Sequence, residues 1–351
     1  MTEKYLFITD THYHMYTEFS KPDDEYGNDR FKEQMGVLKQ ALELAWDHDA
    51  TLVHIGDVFH KRGSVDTKTF NHVFNMIESY PEVRVNILRG NHDSVNNSLY
   101  SDSSIVPFDA MDHVNAICEP LSSEFDTHNI IYLPYGNETD VMKAFINDNL
   151  KDNGKPNILL GHFGVNGAGS GTSSYKLGGE FTLEDIQADK FDYILLGHYH
   201  KRQMLSGNPN HIYCGALMQQ SFSDEGYIPG AHLLTIEDDG TSSLEFIPIK
   251  SRMFYTVRAD ALPDNLDDIM ANNFVRFIGD EGQIAALERV SDGVDTTNVR
   301  VMLEKEYKTN ARLTTINSSS TPIEVTKSYA ELHYPNSVNE ALECLKLAQI
   351  Q

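Results

Sequence analysis

Short apolar runs alternate with amphipathic stretches through the first two hundred positions of this chain. Residues 5–9, 52–55, 83–88, 158–160 and 193–196 are largely apolar runs that read as buried strands, although Arg84 and Asn86 interrupt the third. Between them, residues 30–47 carry Phe31, Met35, Leu38, Leu42 and Ala45 at three- and four-residue spacing, which predicts an amphipathic helix. A second helix is predicted over 65–80, with Thr69, Phe70, Val73, Phe74 and Ile77 on its inner face and Pro81 closing it. A third runs over 138–150 and stops at Asp152-Asn153-Gly154. Strand and helix in alternation predict an α/β organisation, a sheet covered by helices on its faces.

From His211 the pattern becomes strand-like. Residues 212–214, 231–236 and 244–249 read as strands, with the turn Asp238-Asp239-Gly240 between the last two. Beyond Arg252 lie strand patterns at 254–257, 274–278 and 299–303, a helix pattern at 282–290, the polar stretch 317–321 and a terminal helix at 338–349. A boundary near residue 252 divides the chain into 1–252 and 253–351.

Composition narrows the class. Apolar content of 40% and charged content of 23% are those of a globular protein. No run reaches the roughly 20 apolar residues of a membrane span, and the start does not read as a signal peptide. Cys118, Cys214 and Cys344 are odd in number and widely spread, which fits a reducing, cytoplasmic setting. The net charge of −24 cuts against a protein that grips nucleic acid by its own surface, since phosphate neutralisation supplies most non-specific affinity. Either solubility explains it, or metal ions and a partner supply the positive field.

The chemistry sits where the apolar runs end. Asp10-Thr11-His12, Gly56-Asp57, Gly90-Asn91-His92-Asp93, Gly161-His162 and Gly197-His198-Tyr199-His200 each follow one of the five strands. In extended chain, residues i and i+2 face one way, so Asp10 with His12, and His198 with His200, can each serve one centre. Gly56 permits a sharp turn before Asp57, whose two oxygens can bridge two ions. Asn91 adds a neutral amide oxygen, and His162 completes the set. Mixed nitrogen and oxygen donors suit Mn²⁺, Fe²⁺ or Zn²⁺ better than Mg²⁺. His92 is left over as a donor to a leaving alkoxide. Asp93 is placed either to orient His92 or to cap a following helix. His14 and His54, though near these residues, read as ordinary histidines, as do His48, His72, His113, His128, His211, His232 and His333.

Taken in order, the clusters resemble the calcineurin-like metallophosphoesterase signature: D-x-H, G-D, G-N-H-D, G-H and G-H-x-H. The resemblance covers residues 5 to about 250. It implies a four-layer sandwich, two mixed sheets flanked by helices, followed by a small C-terminal cap, and a dinuclear centre. It assigns Asp10, His12, Asp57 and His200 to one divalent ion and Asp57, Asn91, His162 and His198 to the other, with His92 as the catalytic histidine. Mn²⁺ is the expected metal.

Within that superfamily the chain looks most like SbcD-type nuclease subunits, including phage recombination endonucleases. Gly56-Asp57-Val58-Phe59-His60 is similar to their G-D-[LV]-F-[DH] run, and the resemblance gives His60 a supporting role in exonuclease action. It further implies DNA as substrate in repair or recombination, a coiled-coil SbcC-type ATPase as partner docked by the region after 252, and dimerisation. Two stretches depart from the pattern: the aromatic and acidic loop 14–28, and the glycine-rich segment 164–171, which reads either as a substrate-side loop or as a linker and lacks the Gly-Lys-Ser/Thr of a P-loop. The rival readings are a small-substrate phosphatase or cyclic-nucleotide phosphodiesterase of the same superfamily, and a scaffold with a dead centre.

Overall fold

The run Tyr5-Leu6-Phe7-Ile8 has no polar face, and the fold gives it none to expose. In the computed structural model, which describes residues 2–169, 179–283, 299–303 and 321–348, it lies in β1 (Glu3–Ile8), inside a six-stranded sheet. The order across that sheet is β14 (Ser242–Pro248), β13 (Gly230–Ile236), β1, β4 (Thr51–Ile55), β5 (Val85–Leu88) and β6 (Val114–Ile117). β1, β4, β5 and β6 are parallel, and β13 and β14 add on antiparallel. A second six-stranded sheet runs β11 (Gln203–Leu205), β12 (Asn208–Tyr213), β10 (Tyr193–Gly197), β9 (Asn157–His162), β8 (Asn129–Leu133) and β7 (Leu121–Glu124). Its four inner strands are parallel and its two edge strands antiparallel.

Period-two alternation sorts the side chains into layers. Tyr5, Phe7, Val53, Ile55 and Leu88 of the first sheet pack on Ile158, Leu160, Tyr193 and Leu195 of the second. Leu6 and Ile8 point the other way, onto Phe31, Leu38 and Leu42 of α1 (Asp29–His48) and Val73 and Ile77 of α2 (Thr67–Glu78). On the far side, Leu159, Ile194 and Leu196 meet Met142 and Ile146 of α3 (Thr139–Asn149). The result is the helix–sheet–sheet–helix sandwich that the resemblance implies. Local chemistry agrees with it. Asn28 caps α1 by accepting the Phe31 N–H at 2.7 Å, and Asp66 caps α2 by accepting that of Thr69 at 3.0 Å.

Some elements go unassigned in the sequence reading. β6, β7 and β8 are among them, although 130–133 is an unbroken apolar run and Asn129–Leu133 is buried throughout. Inside the 14–28 loop, β2 (Pro22–Asp23) pairs with β3 (Gly27–Asn28). After Arg252 comes a parallel three-stranded sheet of β15 (Phe254–Arg258), β16 (Phe274–Gly279) and β17 (Val299–Leu303), with α4 (Leu266–Asn272), which no pattern announces, between the first two. Phe254 and Phe274 pack with Phe19 and Phe222, which seats this small sheet on the 14–28 loop. The helix pattern at 282–290 lies outside the described residues past 283, and so does the polar stretch up to 320.

Compactness divides the chain into Met1–Leu303 and Glu304–Gln351. The described part of the second unit is a helical pair, α5 (Pro322–His333), which the sequence pattern does not predict, and α6 (Val338–Ala348), which it does. Thr321 and Glu324 form a reciprocal capping box at the start of α5, with Pro322 in its first turn. Ile323, Val325, Tyr329, Leu332 and Tyr334 are exposed on this unit. Among the described residues, no helix is long and apolar enough to cross a membrane.

The interface between the two large sheets should dominate stability. Leu160 is fully buried there, so Leu160→Ala is expected to lower the unfolding free energy by about 2–5 kcal/mol, read from urea denaturation.

Candidate metal centre

Parallel neighbours end together, so the residues that follow β1, β4 and β5 gather at one end of the first sheet, beside the ends of β9 and β10 in the second. The two sheets are stitched at that end by His162, whose Nδ1 lies 2.8 Å from the Ile55 carbonyl oxygen. A backbone carbonyl can only accept, so Nδ1 carries the proton and the Nε2 lone pair faces the centre. The chain bends sharply to bring the other groups in. Asp10 (φ 52°), His12 (φ 45°), Asp57 (φ 59°) and His198 (φ 91°) all adopt left-handed backbone conformations. Such positions cost roughly 1–3 kcal/mol each and persist only where the surroundings enforce them. Gly56 (φ 83°) precedes one of them, as the sequence suggests.

Among the described residues three sets of donors result, one of them His12, His60 and His92 at the border of the site. Asp10, His12 and His200 present ligand atoms within 4.8 Å of one another, and so do Asp10, Asp57 and His162. The Nε2 atoms of His12 and His200 stand 3.1 Å apart. Asp57 Oδ2 lies between the other two sets, 3.6 Å from His12 Nε2 and 3.3 Å from His162 Nε2. Asn91 Oδ1 is 3.1 Å from both His162 Nε2 and His198 Nδ1. All seven residues singled out as ligands therefore reach one place. His92 and His60 border it: the His92 ring centroid is 4.7 Å from that of His12, and the His60 ring centroid is 5.8 Å from that of His92. His92 Nδ1 is hydrogen-bonded to the His60 carbonyl oxygen, and the His92 N–H donates to Asp57 Oδ1 at 2.8 Å.

These donors suit divalent cations. Imidazole nitrogens with their lone pairs directed inward, two carboxylates and an amide oxygen face one another at near-contact distances, with little to neutralise them except protons. Burial works against charge on His162 and His200. The Asp57 and Asp10 carboxylates for the first, and Asp224 and Asp10 for the second, outweigh it and hold both pKa values up to about 9. Despite its burial, Asp57 is held well below the usual carboxylate range by His162, His12 and His92. Burial carries His198 down to about 4 and His54 down to about 3.

Three supporting residues carry no such role in the sequence reading. Asp224, buried in a single 3-10 turn, stands with Oδ1 3.2 Å from His200 Nδ1, which turns that imidazole's Nε2 toward the centre. It lies in a polar segment with no motif to mark it. Asp93 neither orients His92 nor caps a helix. Its Oδ2 accepts the Asp57 and Gly90 N–H groups, each at 2.9 Å, and its Oδ1 accepts that of Phe59 at 3.0 Å. One carboxylate thus clamps the turns after β4 and β5. Burial, and then the Asp57 charge, push its pKa up to about 6. His54, ordinary by its sequence context, meets Thr11 Oγ1 at 2.9 Å through Nε2 and steadies the Asp10-Thr11-His12 turn.

In the glycine-rich segment, Gly169 N–H donates to Gln203 Oε1 at 2.8 Å and Asn166 N–H to the Phe181 carbonyl at 2.8 Å. Residues 170–178 lie outside the described residues.

Comparison with known proteins adds three findings. The calcineurin-like phosphoesterase family matches residues 3–202. A segment of 102 residues is 35% identical to the SbcD subunit of the nuclease SbcCD from Staphylococcus epidermidis. It makes up 28% of this chain and 27% of that protein, so the chain spans about a quarter of the length of this curated relative. A dimetal phosphatase from Danio rerio superposes with a TM-score of 0.46 at 11% identity, over 70% of this chain and 95% of the other.

Two outcomes follow from the geometry. A Cβ on Gly90 would lie 2.2 Å from both Asp57 N and Asp57 Oδ1, so Gly90→Ala should cut bound metal from two equivalents to one or fewer by elemental analysis. Cations entering the centre must displace the protons held on His162 and His200 below about pH 9. Metal binding near pH 7 should therefore release protons, and apparent affinity should climb as pH rises toward 9. Calorimetry in buffers of different ionisation enthalpy reads both, and a pH-independent affinity would contradict the assignment.

Proposed function

The chain belongs to the calcineurin-like phosphoesterase family, phosphoric ester hydrolases built around a dinuclear divalent centre, and on that premise we propose that it is a Mn²⁺-dependent DNA nuclease of repair and recombination. In this reading Asp10, His12, Asp57 and His200 hold one cation, and Asp57, Asn91, His162 and His198 hold the other. When bound, such a pair of cations lowers the pKa of water and offsets charge on the phosphoryl oxygens. The chain's own residues do the rest. Asp93 and Asp224 fix the turns and the imidazole that present the donors. His92 donates from Nδ1 to the His60 carbonyl, which leaves Nε2 as the atom that would donate to the leaving alkoxide.

The observation that carries the nuclease reading is His60, the last residue of the Gly56-Asp57-Val58-Phe59-His60 run, stacked on His92 at an interplanar angle of 22°. Similarity to the SbcD subunit of a nuclease supports DNA as the substrate. We assign the phosphoesterase chemistry to residues 1–252 and docking to 253–351, where the exposed apolar residues of α5 offer a face to an SbcC-type coiled-coil ATPase. A partner that holds the DNA reconciles the reading with a net charge of −24. Three free cysteines fit a cytoplasmic setting. The same acidity favours the rival, a phosphatase or phosphodiesterase of small substrates, because such substrates need no basic surface.

Purified protein with Mn²⁺ should cleave single- or double-stranded oligonucleotides weakly alone and faster with an SbcC-type ATPase, in preference to nucleotide monophosphates. Asp57→Ala should abolish hydrolysis with the circular dichroism spectrum unchanged, and His92→Ala should lower kcat by about 10²–10⁴-fold. Turnover of nucleotide monophosphates with no cleavage of DNA, with or without the ATPase, would replace the nuclease by the phosphatase.

A further inference from the structure

The loop after His12 is the part of the domain that departs from the family pattern, and it is a built wall. Arg30, at the start of α1 and 6% exposed, donates from Nη1 to the Glu18 carbonyl at 3.0 Å and from Nη2 to the Gln220 carbonyl at 2.7 Å. Its guanidinium carbon sits 4.1 Å from the centre of the Tyr16 ring. Asn28 Nδ2 donates to the Tyr16 carbonyl at 3.0 Å, and Asp29 Oδ1 accepts the Lys21 N–H at 2.6 Å. The loop is held at both ends and in the middle.

This wall forms one side of an open cavity of about 600 Å³, lined elsewhere by His60-Lys61 and by Ser221-Phe222. The cavity and the metal centre share a border. The His60 ring centroid is 5.6 Å from that of His12, 5.3 Å from His14 and 5.1 Å from Tyr16. A group held there stands next to the reacting phosphate.

The lining indicates what that group is. Tyr16 and Phe222 are half-buried rings, each backed by a guanidinium, Arg30 at 4.1 Å and Arg276 at 4.2 Å. Rings fixed in this way are stacking platforms; the guanidinium beneath Tyr16 is buried, and the one beneath Phe222 is partly exposed and lies 3.9 Å from the Glu225 carboxylate. Lys61 is exposed at the mouth. Glu18 and Asp66, also on the lining, disfavour phosphate inside. Asp66 is already committed to capping α2. The interior therefore suits a base and its sugar, with the phosphate left outside near Lys61. Pockets of a few hundred cubic ångströms take one small molecule, which is room for a single nucleotide.

We propose that this cavity receives the unpaired nucleotide adjoining the scissile phosphate, with Tyr16 and Phe222 as the faces that stack its base and Lys61 as the contact to its phosphate. This rests on the nuclease reading and gives it a preference for single-stranded ends. The ring, not the hydroxyl, of Tyr16 is what binds.

The test compares kcat/KM for a single-stranded oligonucleotide with kcat/KM for bis-p-nitrophenyl phosphate, which has no base. In Tyr16→Leu the ratio should fall about tenfold, as expected for the loss of one stacked base, and in Tyr16→Phe it should stay within about twofold of wild type. Lys61→Ala, an exposed change that spares the fold, should lower the ratio by about threefold and flatten its salt dependence. An abasic site moved stepwise along the oligonucleotide should slow wild type at one position beside the cleaved bond, and that position should vanish in Tyr16→Leu. Equal ratios in wild type and Tyr16→Leu, or no sensitive position in wild type, would overturn the subsite and leave the nuclease standing. Hydrolysis of the small ester with no cleavage of any oligonucleotide by wild type would remove both.

Discussion

Two carboxylates buried among imidazoles set the terms for this end of the sandwich. Asp10 and Asp57 are almost fully enclosed; burial pushes the Asp10 carboxyl up while neighbouring imidazoles hold Asp57 well below the usual range, since a buried anion needs a nearby positive charge. His162 and His200, one oriented by the Ile55 carbonyl and the other by Asp224, have pKa values raised to about 9 by the carboxylates around them and can supply that charge as protons. The unfavourable backbone at Asp10, His12, Asp57 and His198 is tolerable for the same reason, since each bend carries a donor toward the shared charge. The clamp at Asp93 and the close fit at Gly90 are consequences of packing five strand ends into so small a volume.

What the sequence discloses is what is local. Largely apolar strands followed closely by Asp, Asn or His are visible because the strand and its functional residue are neighbours in the chain. The β8 strand is equally buried but ends in no chemistry, so nothing draws the eye to Asn129–Leu133. Asp224 is invisible for a different reason, because its partner His200 is 24 positions away and its own neighbours are common polar residues. The 14–28 loop reads as an irregular insertion because its order comes from Arg30 reaching Gln220, some 190 positions along, and from Phe254 and Phe274 farther still.

The acidic composition also looks different once folded. Arg30, Arg252, Arg276 and Arg300 gather on one aromatic cluster of Tyr16, Phe19, Phe222 and Phe274, each with a ring within 5 Å of its guanidinium carbon. A chain with 28 basic residues against 52 acidic ones thus gathers four guanidinium groups on one aromatic cluster, two of them, Arg252 and Arg276, also paired with carboxylates. Average charge is a poor guide to the field at one place.

The turn that carries Asp224 has a second attachment. Its next residue, Glu225, accepts both the backbone N–H and the hydroxyl of Thr256 in the small three-stranded sheet, and Arg276 of that sheet lies 3.9 Å from the same carboxylate. Two consecutive side chains therefore face in opposite directions, one gripping a ligand imidazole and the other the added sheet. A displacement of that sheet has a lever one residue long through which to tilt His200.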